Sequence, residues 1–108
     1  MKTSHSPHIV LAVSDTDFLL GDDEIIRMCE AGTLIILDFG IVVDFGDEDR
    51  MNEYEANLFV VMETRTSWNR ETIIQTPLST NEIIAAFPSL TGKSIIRRIL
   101  EFCDIVKL

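Results

Sequence analysis

Residues 33–45, TLIILDFGIVVDF, constrain this chain more than any other stretch. The odd positions Thr33, Ile35, Leu37, Phe39, Ile41, Val43 and Phe45 are apolar or Thr. The even positions mix Leu34, Ile36 and Val42 with Asp38, Gly40 and Asp44. Period-two alternation with one consistently apolar side is the pattern of a strand that buries one face. A chain carrying it needs a sheet and a layer to cover that sheet. Gly40 marks a bend or bulge in the strand, with a hairpin at Phe39-Gly40 as an alternative.

The rest of the chain supplies that layer. Residues 8–13, HIVLAV, are β-branched enough for a first strand, and SDTDF after them reads as a turn. Residues 22–31 predict a helix, with Asp22, Asp23 and Glu24 at the end where the dipole favours anions and Gly32 as its stop. Residues 46–55, GDEDRMNEYE, read as an acidic connector. Residues 56–67 and 71–76 read as a hairpin around Trp68-Asn69-Arg70. Met51, Tyr54, Leu58, Val61 and Met62 also fall at helical spacing, but FVV and TRT favour a strand from about residue 57. Ser79 and Glu82 have capping-box spacing, which starts a helix over 80–87 that Pro88 stops. Residues 92–105 form the last helix, with Ile95, Ile96, Ile99, Leu100, Phe102 and Cys103 on its buried side. The expected fold is α+β: a small antiparallel sheet of three or four strands backed by helices, in the order β-α-β-β-β-α-α. Residues 1–7 are expected to form a disordered tail and 8–108 a single domain.

With 108 residues, one core without staples is within reach. The longest apolar runs, such as Ile9 to Val13, hold five residues. A membrane span needs about 20 and a signal-peptide core about 7–15, so an intracellular, cytoplasmic protein is expected. Cys29 and Cys103 are far apart and sit beside apolar neighbours, as reduced buried thiols do.

Charge is the strongest functional signal. The formal net charge is −9, and it is uneven: residues 1–63 hold 14 acids and 3 bases, residues 64–108 hold 4 acids and 6 bases. Asp44, Asp47, Glu48, Asp49, Glu53 and Glu55 fall within twelve residues that hold one base, Arg50. Spaced carboxylates can occupy the positions of phosphates on a basic protein surface, and such complementarity selects partners. Trp68, between Arg65 and Arg70, has the composition of an interface hot spot. These residues point to a small acidic binding protein that docks on a basic partner, with no catalysis and no cofactor. An immunity protein, an antitoxin or a phage-type inhibitor of a nucleic-acid enzyme fits that description. The bland alternatives are a solvated acidic loop and a Trp folded over a sheet edge.

A second reading comes from the C-terminal pair of helices. Residues 82–87, a turn through Leu90, then Ser94-Ile95 and Ile99-Leu100 resemble the pattern of winged-helix DNA-binding domains. The resemblance implies that Leu90 plugs the core under the turn. It also implies that Lys93, Ser94, Arg97 and Arg98 face the DNA, with a homodimer as the expected assembly. No basic wing follows, and Glu101 can pair with Arg97 or Arg98.

Other chemistries find little support. TGKS at 91–94 lacks the first Gly of a phosphate loop, because position 87 is Phe. A calcium loop starting at Asp15 would need Gly and Glu where Leu20 and Ile26 stand. Asp38 and Asp44 on one strand would be about 20 Å apart, too far for a catalytic carboxylate pair. His5 and His8 lie at the N-terminus, in and beside the expected tail, so no metal site is expected there. An enzyme would need a deep pocket holding a carboxylate of shifted pKa.

Overall fold

A computed structural model of the chain describes residues 6–41 and 46–107. Strand β1 (Ser6–Ser14) leads through a 3-10 turn (Asp15–Leu19) into helix α1 (Asp22–Glu30) and strand β2 (Ala31–Leu37). Helix α2 (Glu48–Ser67), strand β3 (Glu71–Thr76), helices α3 (Thr80–Ala86) and α4 (Leu90–Phe102) and strand β4 (Asp104–Lys107) complete the chain.

The four strands form one sheet in the order β1-β2-β3-β4, and every pairing is parallel. This overturns the expected antiparallel sheet and the expected order β-α-β-β-β-α-α. One segment causes the change. Residues 56–67, read as the first arm of a hairpin, belong to the 20-residue helix α2, as does most of the acidic connector. Once that segment is helical, β2 and β3 are joined by a crossover, and a crossover makes its strands parallel. The helical spacing Tyr54, Leu58, Val61, Met62 is the one that is realised, and all four side chains are buried. The β-propensity of Phe59, Val60 and Val61 loses to that packing, as local propensity commonly does.

Three further expectations change. The long strand ends at Leu37, because Asp38 turns the chain with φ 53 and Gly40 with φ 83. Its second half, residues 42–45, lies outside the described residues, as do residues 1–5 of the expected tail, His5 among them; Ser6 already pairs with Ala31 in the sheet. The last helix ends at Phe102 rather than 105, and residues 104–107 form an edge strand that the pattern did not reveal. The helices expected over 22–31 and 80–87 are found as α1 and α3, the latter with its capping box: Ser79 Oγ accepts from Glu82 N and Glu82 Oε1 from Ser79 N.

Parallel strands laid side by side in chain order put each right-handed crossover on the same face. The contacts agree: α2 packs against α1, against α4 and against the 3-10 turn. Under this layer Val13, Leu34, Ile36 and Ile74 are buried, while their strand neighbours Ala12 and Leu37 are exposed and Ile35 and Ile73 half-buried on the other side.

Inside the layer sits a buried charge. Arg65, 1% exposed, donates from Nε to Thr72 Oγ1 at 2.8 Å. Its Nη1 reaches the carbonyls of Met28 at 2.8 Å, Cys29 at 3.3 Å and Ala31 at 2.7 Å; Nη2 reaches those of Gly32 and Glu71. The last carbonyls of α1 have no intrahelical donors, and the dipole makes that end negative. One guanidinium therefore closes α1 and ties α2 to the starts of β2 and β3. Burial, and then the charge of Arg70, lower its pKa to about 10, so it stays protonated at neutral pH.

Cys29 is buried and Cys103 half-buried, and both thiols are free. Burial pushes Cys103 up to about 12 and raises Cys29 as well.

Arg65→Leu leaves the carbonyls of Met28 and Ala31 buried without this donor. A loss of about 3 kcal/mol or more is expected, since buried groups stripped of a charged partner cost about that much. Urea unfolding followed by circular dichroism measures it, and a change under 1 kcal/mol would contradict the role given to Arg65.

Candidate functional site: the carboxyl edge of the sheet

In a parallel sheet all strands end on one edge, and the helices that follow them begin there. The acidic segments of the N-terminal half are these strand ends and helix starts. Asp15 and Asp17 follow β1, and Asp22, Asp23 and Glu24 open α1. Asp38 follows β2, and Asp47, Glu48 and Asp49 open α2. Each set also serves its helix, because anions at an N-terminus are favoured by about 0.3–1 kcal/mol apiece.

Behind the edge lies a buried framework. Asp15, 3% exposed, accepts from Tyr54 Oη and from the backbone N of Gly40, each at 2.9 Å. One carboxylate thus joins the end of β1, the turn after β2 and the second turn of α2. Phe18 meets Tyr54 edge-on at 5.8 Å, and Phe87 stacks on Phe39 at 5.4 Å and on Tyr54 at 6.2 Å. Asn57 Nδ2 donates to the carbonyl of Phe18 at 2.7 Å. None of this was legible as a site, because Asp15 and Tyr54 are separated by 39 positions.

The candidate residues divide among several places. Asp47 is the N-cap of α2, its Oδ1 accepting from Arg50 N at 2.7 Å. Glu48, Asp49 and Glu53 are exposed on the first two turns. Glu55 turns inward: it is 6% exposed and accepts from Ser89 Oγ at 3.0 and 3.1 Å. Ser89 in turn caps α4 by accepting from Gly92 N at 2.9 Å. Asp44 lies outside the described residues. Trp68 is at the opposite end of α2, about 30 Å from Asp47 at ~1.5 Å per residue, where Arg70 stands over its ring at 4.1 Å. The structure therefore groups Asp47, Glu48, Asp49 and Glu53 and separates Glu55 and Trp68 from them.

On α4, Lys93 and Arg97 are exposed one turn apart. Arg97 Nε is 4.0 Å from Glu101 Oε1. Arg98 lies back over the Phe59 ring at 5.0 Å and donates to the carbonyl of Ser94 at 3.4 Å. Leu90, expected to plug the core beneath the helical turn, is 85% exposed; Phe87 fills that place and is fully buried. The glycine of TGKS has a packing role, because a Cβ on Gly92 would stand 2.9 Å from the carbonyl oxygen of Phe87. Among the described residues no cluster of three or more His, Cys, Asp or Glu is placed to hold a metal ion. No helix among them is long and apolar enough to cross a membrane.

Comparison with protein-family models, curated proteins and solved structures gives no match to this chain.

Burial, the charge of Asp15 and the hydrogen bond to it raise the Tyr54 pKa well above 10.0. The sign follows from linkage: the folded chain holds this proton more tightly than the unfolded one. The stability from Tyr54 is fully present below pH ~10 and is lost as pH rises from there towards the folded value. Tyr54 is the only tyrosine, so tyrosinate absorbance reads it directly. The phenol is expected to titrate only as the protein unfolds, and free titration near pH 10 with the fold intact would refute its burial against Asp15.

Proposed function

We propose that the protein is a binding module that docks its acidic carboxyl edge on a basic protein surface. An inhibitor of a nucleic-acid enzyme, of the immunity-protein, antitoxin or phage type, acting in the cytoplasm without catalysis, is the class this describes. One observation carries the reading: parallel winding gathers Asp22 and Asp23, Asp38, and Asp47 to Asp49 from three separate segments onto one edge. A net charge of −9 adds long-range attraction to basic surfaces and speeds encounter with them.

The test is binding to immobilised basic nucleases and DNA-binding proteins, comparing the native chain with a variant carrying Asp47→Asn, Glu48→Gln, Asp49→Asn and Glu53→Gln. Asn keeps the helix cap. The neutralised protein is expected to bind at least tenfold more weakly at ~50 mM salt, a difference of about 1.4 kcal/mol. The two are expected to converge near 1 M salt, where the screening length is about 3 Å. Equal affinities at moderate salt would sink the reading.

A second reading, DNA contact through α4, draws on the exposure of Lys93 and Arg97 one turn apart. Fluorescence anisotropy with a mixed-sequence duplex separates the two. Saturable, salt-sensitive binding lost in an Arg97→Ala, Arg98→Ala variant would put DNA first, and none at low salt would remove it.

A further inference from the structure

An apolar hollow opens along the seam between α2 and α4, beside the acidic edge. It is lined by Ala56, Phe59 and Val60 from α2 and by Leu90, Thr91 and Ser94 from α4. Leu90 is 85% exposed and Val60 48%. The fold gives Leu90 no reason to be apolar: α4 is already capped by Ser89, and Phe87 already closes the core beneath the turn. Ala56, Phe59, Val60 and Leu90 together make a contiguous apolar patch around the hollow, the kind of surface that marks an interaction site.

The flank of the hollow says what covers it. Asp49, Glu53, Ala56 and Val60 are spaced three and four residues apart and share the exposed stripe of α2. Read from the helix start, that stripe runs acid, acid, Ala, Val. An apolar anchor with negative charge within two turns on one side calls for an apolar side chain flanked by Lys or Arg. Further along the seam, Arg97 and Arg98 of α4 stand beside Glu63 and Glu101, and Arg97 Nε is 4.0 Å from Glu101 Oε1, so the unpaired acids of the stripe, Asp49 and Glu53, are the charges left for a cationic ligand.

We propose that this hollow is the anchor pocket for a basic amphipathic helix of the partner protein. One of its apolar side chains enters between Val60 and Leu90, and its cationic side chains meet Glu53 and Asp49. This rests on the acidic docking reading above and gives its partner a shape. Helix-in-groove recognition of this kind takes its affinity from a few apolar anchors and its selectivity from the charged rim.

The probe is a fluorescein-labelled Leu/Lys peptide with Leu at helical spacing, with a scrambled peptide of the same composition as control, followed by anisotropy at moderate salt. The proteins are the native chain, Val60→Ser, Leu90→Ser and the four-fold neutralised variant. Both serine changes are at exposed positions, and circular dichroism checks that the fold is kept. The native chain is expected to prefer the helical peptide over the scrambled one by at least tenfold. Each serine variant is expected to lose about that preference, and the neutralised variant to lose affinity in a salt-dependent way. Full binding by both serine variants with loss only in the neutralised one would overturn the anchor pocket while leaving acidic docking in place. Binding unchanged in all variants would overturn both. Loss in the serine variants alone, with neutralisation harmless, would mean an apolar rather than a basic helix and would overturn the proposal. So would a native dimer in sedimentation equilibrium that Leu90→Ser dissociates, because the occupant would then be a second copy of the chain.

Discussion

The guanidinium of Arg65 is the interaction on which the rest of the structure leans. It sits where the end of α1, the starts of β2 and β3 and the last turns of α2 converge, and it donates to backbone carbonyls of Met28, Cys29, Ala31, Gly32 and Glu71. A buried cation is costly unless its hydrogen bonds are met, and here backbone oxygens and the Thr72 hydroxyl meet them. Arg70 joins from the surface, donating to Cys29 at 2.7 Å. Lysine could not do the same, because its point charge lacks the planar fork that reaches several carbonyls at once.

Asp15 plays the corresponding part at the opposite edge, bridging Tyr54 and Gly40. The two edges of the sheet are thus pinned by buried groups of opposite sign, each placed to suit the nearby helix ends. Acids crowd the edge where α1 and α2 begin, and Arg70 and Trp68 mark the other. Acid clustering that looks like a loop in the sequence is largely the N-terminal dressing of two helices.

Much of the local structure was legible, and the point of failure was narrow. The capping box at Ser79 and Glu82, the acid-headed helix at 22–30 and the strand through Ile36 follow from residue order alone. The direction of the sheet did not, because it hung on whether residues 56–67 were strand or helix. Phe59, Val60 and Val61 pulled that reading towards strand, and Arg65, in the middle of TRT, offered no hint of burial, since charged residues are ordinarily assigned to the surface. The last strand was hidden for a related reason: Asp104 to Lys107 is short, and all four residues are exposed at an edge. Of the candidate site, the cluster at Asp47 to Glu53 was visible. Glu55 was counted with it, though its helical phase turns it towards Ser89. Leu90 was assigned to the core by the winged-helix resemblance, but it is exposed and Phe87, three residues earlier, is the buried side chain.

The strand order β1-β2-β3-β4 has a consequence for how the chain reaches this state. Each strand is laid beside the one made just before it. Among the described strands, each one after β1 finds its partner already made, and none has to return to the open edge of β1. A doubly wound sheet begins in the middle and must hold two growing edges at once. Here one edge advances, and each crossover closes only against its predecessor. Loop-closure costs stay short-range at every step, so assembly can keep pace with emergence of the chain, and β4, the least covered strand, is the last to be added.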